Sequence, residues 1–155
     1  MSVFFLILSI AAIGAIFYQD LKMRAIWWFL PPVLFLSLVM IFRESFTVVG
    51  VNLAFITGLL LALTAYVRIR FGSWDLFRQY FGLGDALFLA AVSPLLQTNY
   101  FIWFFTAGTS CSLLIHLIVT TFRKQSTIPF AGYLCLPTLA VILLKFFYPN
   151  LLHQI

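Results

Sequence analysis

The sequence predicts an all-α, polytopic membrane protein. It reads as one domain over residues 1–155, with six transmembrane helices and both termini outside. Three observations carry this. Hydrophobic residues make up 64% of the 155 and charged residues only 8%, whereas a soluble domain holds about 45–50% and about 25%. The apolar residues fall into runs of the length that crosses a bilayer as a helix, about 17–25 residues. The basic residues collect in alternate loops, the asymmetry that sets orientation in a membrane. The lipid bilayer is therefore the first expected partner. A formal net charge of +5 would also suit a nucleic-acid binder, but no soluble domain is left to carry a basic face, so nucleic acid is not expected. Nothing in the sequence fixes an oligomeric state.

The first expected span covers residues 2–18. It has no basic stretch before its apolar run, so it reads as a retained span rather than a cleaved signal. The second covers 26–42, with Pro31 and Pro32 inside it and expected to kink it. The third covers 46–67. The fourth, 83–96, is short, which implies a tilt or a first turn at the headgroups. The fifth covers 100–122 and the sixth 128–148. Between the third and fourth lies the one sizeable loop, 68–81. There Phe71, Trp74, Phe77 and Phe81 recur at three- and four-residue steps among Arg68, Arg70, Asp75 and Arg78, a pattern for a short helix in the headgroup plane or an aromatic belt with basic anchors.

Loops one, three and five carry Lys22, Arg24, Arg68, Arg70, Arg78, Arg123 and Lys124, and loops two and four carry only Arg43. The odd loops are therefore expected in the cytoplasm. That topology sorts the four acidic residues. Glu44 falls outside beside Arg43 and reads as a solvated loop charge. Asp75 falls among interfacial arginines. Asp20 closes the first span and Asp85 opens the fourth, so both are expected at one depth on the cytoplasmic face. Ionisable groups at membrane depth are expensive and usually functional.

Two carboxylates at one depth suit aspartyl-protease chemistry. Close like charges do not both ionise cheaply, so the pair shares a proton. The ionised partner takes a proton from water, the water attacks a peptide carbonyl, and the protonated partner donates to that carbonyl oxygen. Gly82 and Gly84 precede Asp85 in Gly-x-Gly-Asp. Lacking Cβ, they would permit positive φ and close approach of an extended peptide.

At these residues the sequence resembles the type IV prepilin peptidase family, membrane aspartyl proteases of the GxGD type, in the short form without an N-methyltransferase domain. The stretch DLKMRAIWWFL is similar to the family's first-aspartate motif at Asp20, Arg24 and Ile26. GLGDALFLAA is similar to the second at Gly82, Gly84 and Asp85. IPFAGYLCLP resembles the Ile-Pro-Phe that opens the last helix. Trp27–Trp28 stand where Pro-Asn is usual, Gln79 where Glu is common, Ala86–Leu87 where a small residue and Lys are frequent, and Ala131–Gly132 where Gly-Pro is common. These departures mark a divergent branch with altered substrate preference. The resemblance implies an endopeptidase of the bacterial inner membrane, active on its cytoplasmic side. Its catalytic residues are Asp20 and Asp85, with Gly82, Gly84 and Arg24 at the site, and it needs no cofactor. Its partners are prepilin-like substrates, with a short basic leader followed by a hydrophobic helix. The alternatives are a presenilin-type protease, whose aspartates sit deeper, and a non-catalytic scaffold or transporter.

The remaining polar and small residues read as structural. Cys111 and Cys135 sit in apolar segments without CxxC spacing and read as small core residues. His116 reads as an interhelical hydrogen bonder. His153 has no second His at ligand spacing, so no metal is expected. Gly58, Gly108, Ala11, Ala12 and Ala15 read as close helix contacts.

Overall fold

A computed structural model of the chain describes residues 2–23, 25–72, 81–122 and 129–148. Among these the regular structure is all helical: α1 (Ser2–Met23), α2 (Leu30–Phe42), α3 (Phe46–Phe71), α4 (Leu83–Val92), α5 (Thr98–Phe122) and α6 (Phe130–Phe147). Helices α1, α3, α5 and α6 are long and apolar enough to cross a membrane. The other two are not. At about 1.5 Å per residue, α2 is about 20 Å long and α4 about 15 Å, against a hydrocarbon core of about 30 Å.

The local sequence explains both short helices. Pro31 and Pro32 lie in the first turn of α2, where a missing N–H costs nothing and the fixed φ suits the helix. They start α2 rather than kinking it, and residues 25–29 form the turn that enters it. The helix stops at Arg43, in the left-handed region at φ 47°, whose N–H closes on the Val39 carbonyl. Helix α4 stops before Pro94, which has no N–H to continue the ladder. Residues 93–96 then form a buried, non-helical turn, so the fourth segment is a short helix followed by irregular backbone. Irregular backbone at membrane depth is tolerated only where protein buries and satisfies it.

Side chains from two other helices satisfy this turn. Asn52 of α3, fully buried, donates through Nδ2 to the Ser93 and Leu96 carbonyls, both at 2.9 Å. Lys145 of α6 donates to the Leu95 carbonyl at 2.7 Å. Lys145 also pairs with Glu44 at 2.5 Å and lies 4.8 Å over the Phe42 ring. Glu44 is thus the part-buried partner of Lys145 and not the solvated loop charge expected from its position beside Arg43.

Helix α1 packs on α2 and α6, and α4 lies between α2, α6 and α3. Helix α5 joins α6 and α3. The shared core includes Ile16, Leu34, Leu38, Phe88, Leu89 and Ile142, all essentially inaccessible. This largely apolar layer, in which the buried Ser9, Ser37 and Thr138 hydroxyls bond to carbonyls of their own helices, separates the carboxylate end of the bundle from the Glu44–Lys145 end. Helices α3 and α5 present much of their apolar surface outward, with Leu61, Ile69 and Trp103 well exposed, as suits lipid.

The small residues divide. A Cβ on Gly108 would collide with a Leu134 methyl group, so the α5–α6 approach depends on that glycine, whereas Gly58 faces open space. Ala12 is buried and Ala15 packs on the core, but Ala11 is exposed. Cys135 is buried, whereas Cys111 is exposed on α5 and is not a core residue. Gly108→Ala is expected to lower the stability of the solubilised protein by about 1–3 kcal/mol through overpacking, read by thermal unfolding in detergent. Gly58→Ala is expected to be silent.

Arg68, Arg70 and Phe71 belong to the last turns of α3 and not to the loop expected from residue 68. Trp74, Asp75, Phe77, Arg78 and Gln79 lie outside the described residues, as do Arg24, Arg123, Lys124, Ile128 and His153. Lys22 is exposed at the end of α1 and donates to the Tyr18 hydroxyl at 2.7 Å.

Candidate active site

Any α-helix leaves its first N–H groups without partners inside the helix. In α6 two of them, on consecutive residues, are taken by side chains from elsewhere. The Gly132 N–H donates to Asp20 Oδ2 at 2.6 Å, and the Ala131 N–H donates to Asp85 Oδ1 at 3.0 Å. The carboxylates come from the last turn of α1 and the first turn of α4. The start of α6 brings them side by side, close enough to interact electrostatically. The positive end of the helix dipole and two backbone donors favour negative charge there. Asp20 is buried at 6% exposure, and Asp85 is half-buried.

Two glycines hold this geometry in ways their spacing does not announce. Gly82 is the N-cap of α4 at φ −67°, and its N–H also contacts the Asp85 carboxylate. Asp85 therefore curls back over its own helix start. A Cβ at residue 82 would lie 2.7 Å from Asp85 Oδ2, so the missing side chain is what lets Asp85 do so. Gly84 serves a different contact. A Cβ there would come within 3.1–3.2 Å of the Ile26 side chain. Neither glycine has positive φ, since among the described residues only Gly72 and Arg43 do. Gly84 faces Ile26 and not an open cleft, so room for a peptide is not what its missing side chain provides.

Ile26 is delivered by the α1–α2 turn, which Gln19 pins. Gln19 is buried next to Asp20, and its Oε1 accepts the Trp27 N–H at 3.0 Å. Trp28 stands 77% exposed at this end of the bundle, the place of an interfacial aromatic. Arg24, expected at the site, lies outside the described residues. Gln19 is a site residue that the sequence did not single out, and Ala131 and Gly132 stood out there only as departures from a motif, not as partners of the carboxylates. The latter two act through backbone N–H, which residue type does not reveal, although the Ile-Pro-Phe stretch marked the right helix start.

An apolar cavity of about 370 Å³ lies between α2, α3 and α4, lined by Pro31, Phe35, Leu53, Leu87 and Ala90 among others. It is not part of the site. At about 100° per residue, Leu87 and Ala90 fall on the side of α4 opposite Asp85. Phe88, Leu89 and Val92, on the Asp85 side, are packed into the core. Among the described residues no three His, Cys, Asp or Glu side chains cluster as a metal site would require. Compared with family models, curated proteins and solved structures, the chain matches none.

Proposed function

We propose that this chain is a membrane aspartyl endopeptidase that removes the leader from prepilin-like precursors. Asp20 and Asp85 form the catalytic pair. One observation carries the reading: consecutive amides of α6 seat two carboxylates that are distant in sequence. Acids built only as helix caps would not need to meet.

In the proposed reaction the pair holds one proton, because two adjacent carboxylates do not both ionise cheaply. A water placed between them loses a proton to the ionised partner and attacks the scissile carbonyl. The other partner protonates the carbonyl oxygen, and as the tetrahedral adduct collapses it takes that proton back, while the proton drawn from water passes to the nitrogen and the C–N bond breaks to release the new amine. The α6 amides hold one oxygen of each carboxylate, so both acids meet the water in a fixed orientation, where proximity is worth most. No step calls for a metal or cofactor.

In this proposal α2 and α4 count with the four long helices as six membrane segments. Both termini face outward, and the site faces the cytoplasm of a bacterial inner membrane. Lys22, two residues past Asp20, and the arginines that end α3 are the basic anchors for that orientation. A peptide bond within a membrane helix is masked by its own hydrogen bonds, whereas one at the start of the helix is accessible. Carboxylates at the ends of α1 and α4 suit the second kind of bond.

The test is co-expression with a type IV pilin-like precursor that carries a short basic leader and a hydrophobic helix. The product is followed by mass and N-terminal sequencing. The expected result is one cut at the junction of leader and helix. A cut deep within the hydrophobic helix would assign the chain to presenilin-type proteolysis. An untouched precursor, across a panel of such substrates, would leave a scaffold.

A further inference from the structure

Helix α4, which carries Asp85, is gripped by α6 at both ends. At its start, Asp85 Oδ1 accepts from the Ala131 N–H. Past its end, the Leu95 carbonyl accepts from Lys145 Nζ. The starts of the two helices meet at one contact and their far ends at the other, so α4 and α6 run in the same direction. The lysine side chain leans toward the N-terminus of its helix, back toward Leu95.

Two further side chains complete the far grip. Glu44 pairs with the Lys145 ammonium group and holds it in place. Asn52 takes the Ser93 and Leu96 carbonyls on either side of Leu95. These bonds satisfy carbonyls at the broken end of α4 and in doing so tie that end to α3 and α6. The Lys145–Glu44 pair is part-buried, at the end of the bundle remote from the carboxylates.

We propose that Lys145, held by Glu44, and Asn52 are positioning residues for the carboxylate pair and act from the opposite end of α4. They fix where α4 stands along α6, and so where Asp85 stands beside Asp20. The start of α4 has no side-chain cap of its own, so without the far grip its alignment rests on the Asp85 contacts. A misplacement of about 1 Å in a catalytic group can cost about 100-fold in rate. The catalytic half of this inference rests on the peptidase reading above, whereas the geometric half does not.

The test uses the full chain in liposomes with Lys145→Met, Lys145→Arg and Asn52→Leu, and two readouts. The first is trimming of the pilin-like precursor. Lys145→Met and Asn52→Leu are expected to lower kcat about 10- to 100-fold with KM within about twofold, and Lys145→Arg, which keeps a donor, to recover most of the rate. The second readout needs no catalysis. Cys135, one turn beyond Ala131 on α6, is 1% exposed, and in a Cys111→Ser background it reports the packing beside the carboxylates. Maleimide labelling of Cys135 is expected to rise about tenfold in Lys145→Met and Asn52→Leu, and to stay at the parent level in Lys145→Arg, as a local-opening equilibrium requires.

The proposal is overturned if Lys145→Met and Asn52→Leu keep both the parent kcat and the parent labelling rate. It is also overturned if Lys145→Arg fails as badly as Lys145→Met. If the parent chain trims nothing while Cys135 labelling follows the expected order, the peptidase reading falls and the two-ended grip of α6 on α4 stands.

Discussion

Asp20→Asn and Asp85→Asn should each abolish precursor trimming, by about four orders of magnitude or more, while the protein remains folded and inserted. The choice of asparagine matters because each carboxylate has two separable jobs. Asp20 Oδ2 and Asp85 Oδ1 accept the Gly132 and Ala131 N–H groups, and the amide oxygen of asparagine can do the same. What asparagine cannot do at neutral pH is take a proton from water or hold one for the carbonyl oxygen. Alanine would remove both jobs at once. It would leave an α6 amide buried without a partner, at a cost of about 1–3 kcal/mol, and the loss of activity would then have two explanations. The measurement is single-turnover trimming in liposomes beside thermal unfolding of the same preparations. Were both asparagine variants to trim at the parent rate, the acids would be helix caps and nothing more, and the endopeptidase assignment would fall.

The second large effect is expected at Gly82. Alanine there would set a methyl group 2.7 Å from Asp85 Oδ2, well inside van der Waals contact. The obstacle is the Asp85 carboxylate itself, so the strain is relieved by turning it off the Ala131 N–H. Gly82→Ala should therefore lower kcat about 100-fold with little change in KM, since the group is displaced and not removed. Gly84→Ala provides the contrast. Its new methyl would press on Ile26 at 3.1–3.2 Å, an aliphatic neighbour that can give by a few tenths of an ångström, so stability should fall more than rate. Equal losses of rate in both variants would mean that the two glycines share a role, such as room for a peptide, and that the geometry around Asp85 is not what Gly82 protects.

Gly132 bears on the same seat from the other side. Its N–H donates to Asp20 Oδ2, a bond that proline at this position could not make, having no N–H to donate. A Cβ at residue 132 would stand 3.0 Å from Asp20 Oδ2, so Gly132→Ala should be milder than Gly82→Ala but act in the same sense. The ratio of the two effects measures how closely each carboxylate is seated.

Much of this was legible in the sequence. The abundance of apolar residues and the alternation of basic loops dictate helices in a bilayer, because lipid offers backbone groups no other partner and charge asymmetry biases orientation. Asp20 and Asp85 stand out because carboxylates are so rare here, and Gly-x-Gly-Asp marks one of them. Long-range contacts were not legible. Pro31 and Pro32 look like a kink until the helix is seen to begin at Leu30, since proline is disruptive inside a helix and harmless in its first turn. Glu44 looks like a solvated neighbour of Arg43 until α6 delivers Lys145 to it.

By itself, the sequence determined the class of solvent, the helical content and the two acids worth following, because composition and periodicity are local properties that each segment carries wherever it packs. Only the tertiary structure decided that two consecutive α6 amides seat both acids. It alone revealed that Gly82 makes way for Asp85 while Gly84 makes way for Ile26, and that the broken end of α4 is satisfied by Asn52 and Lys145. Those are pairings between groups many residues apart. A backbone N–H looks the same at every position until the fold leaves it without a partner and brings a carboxylate to it.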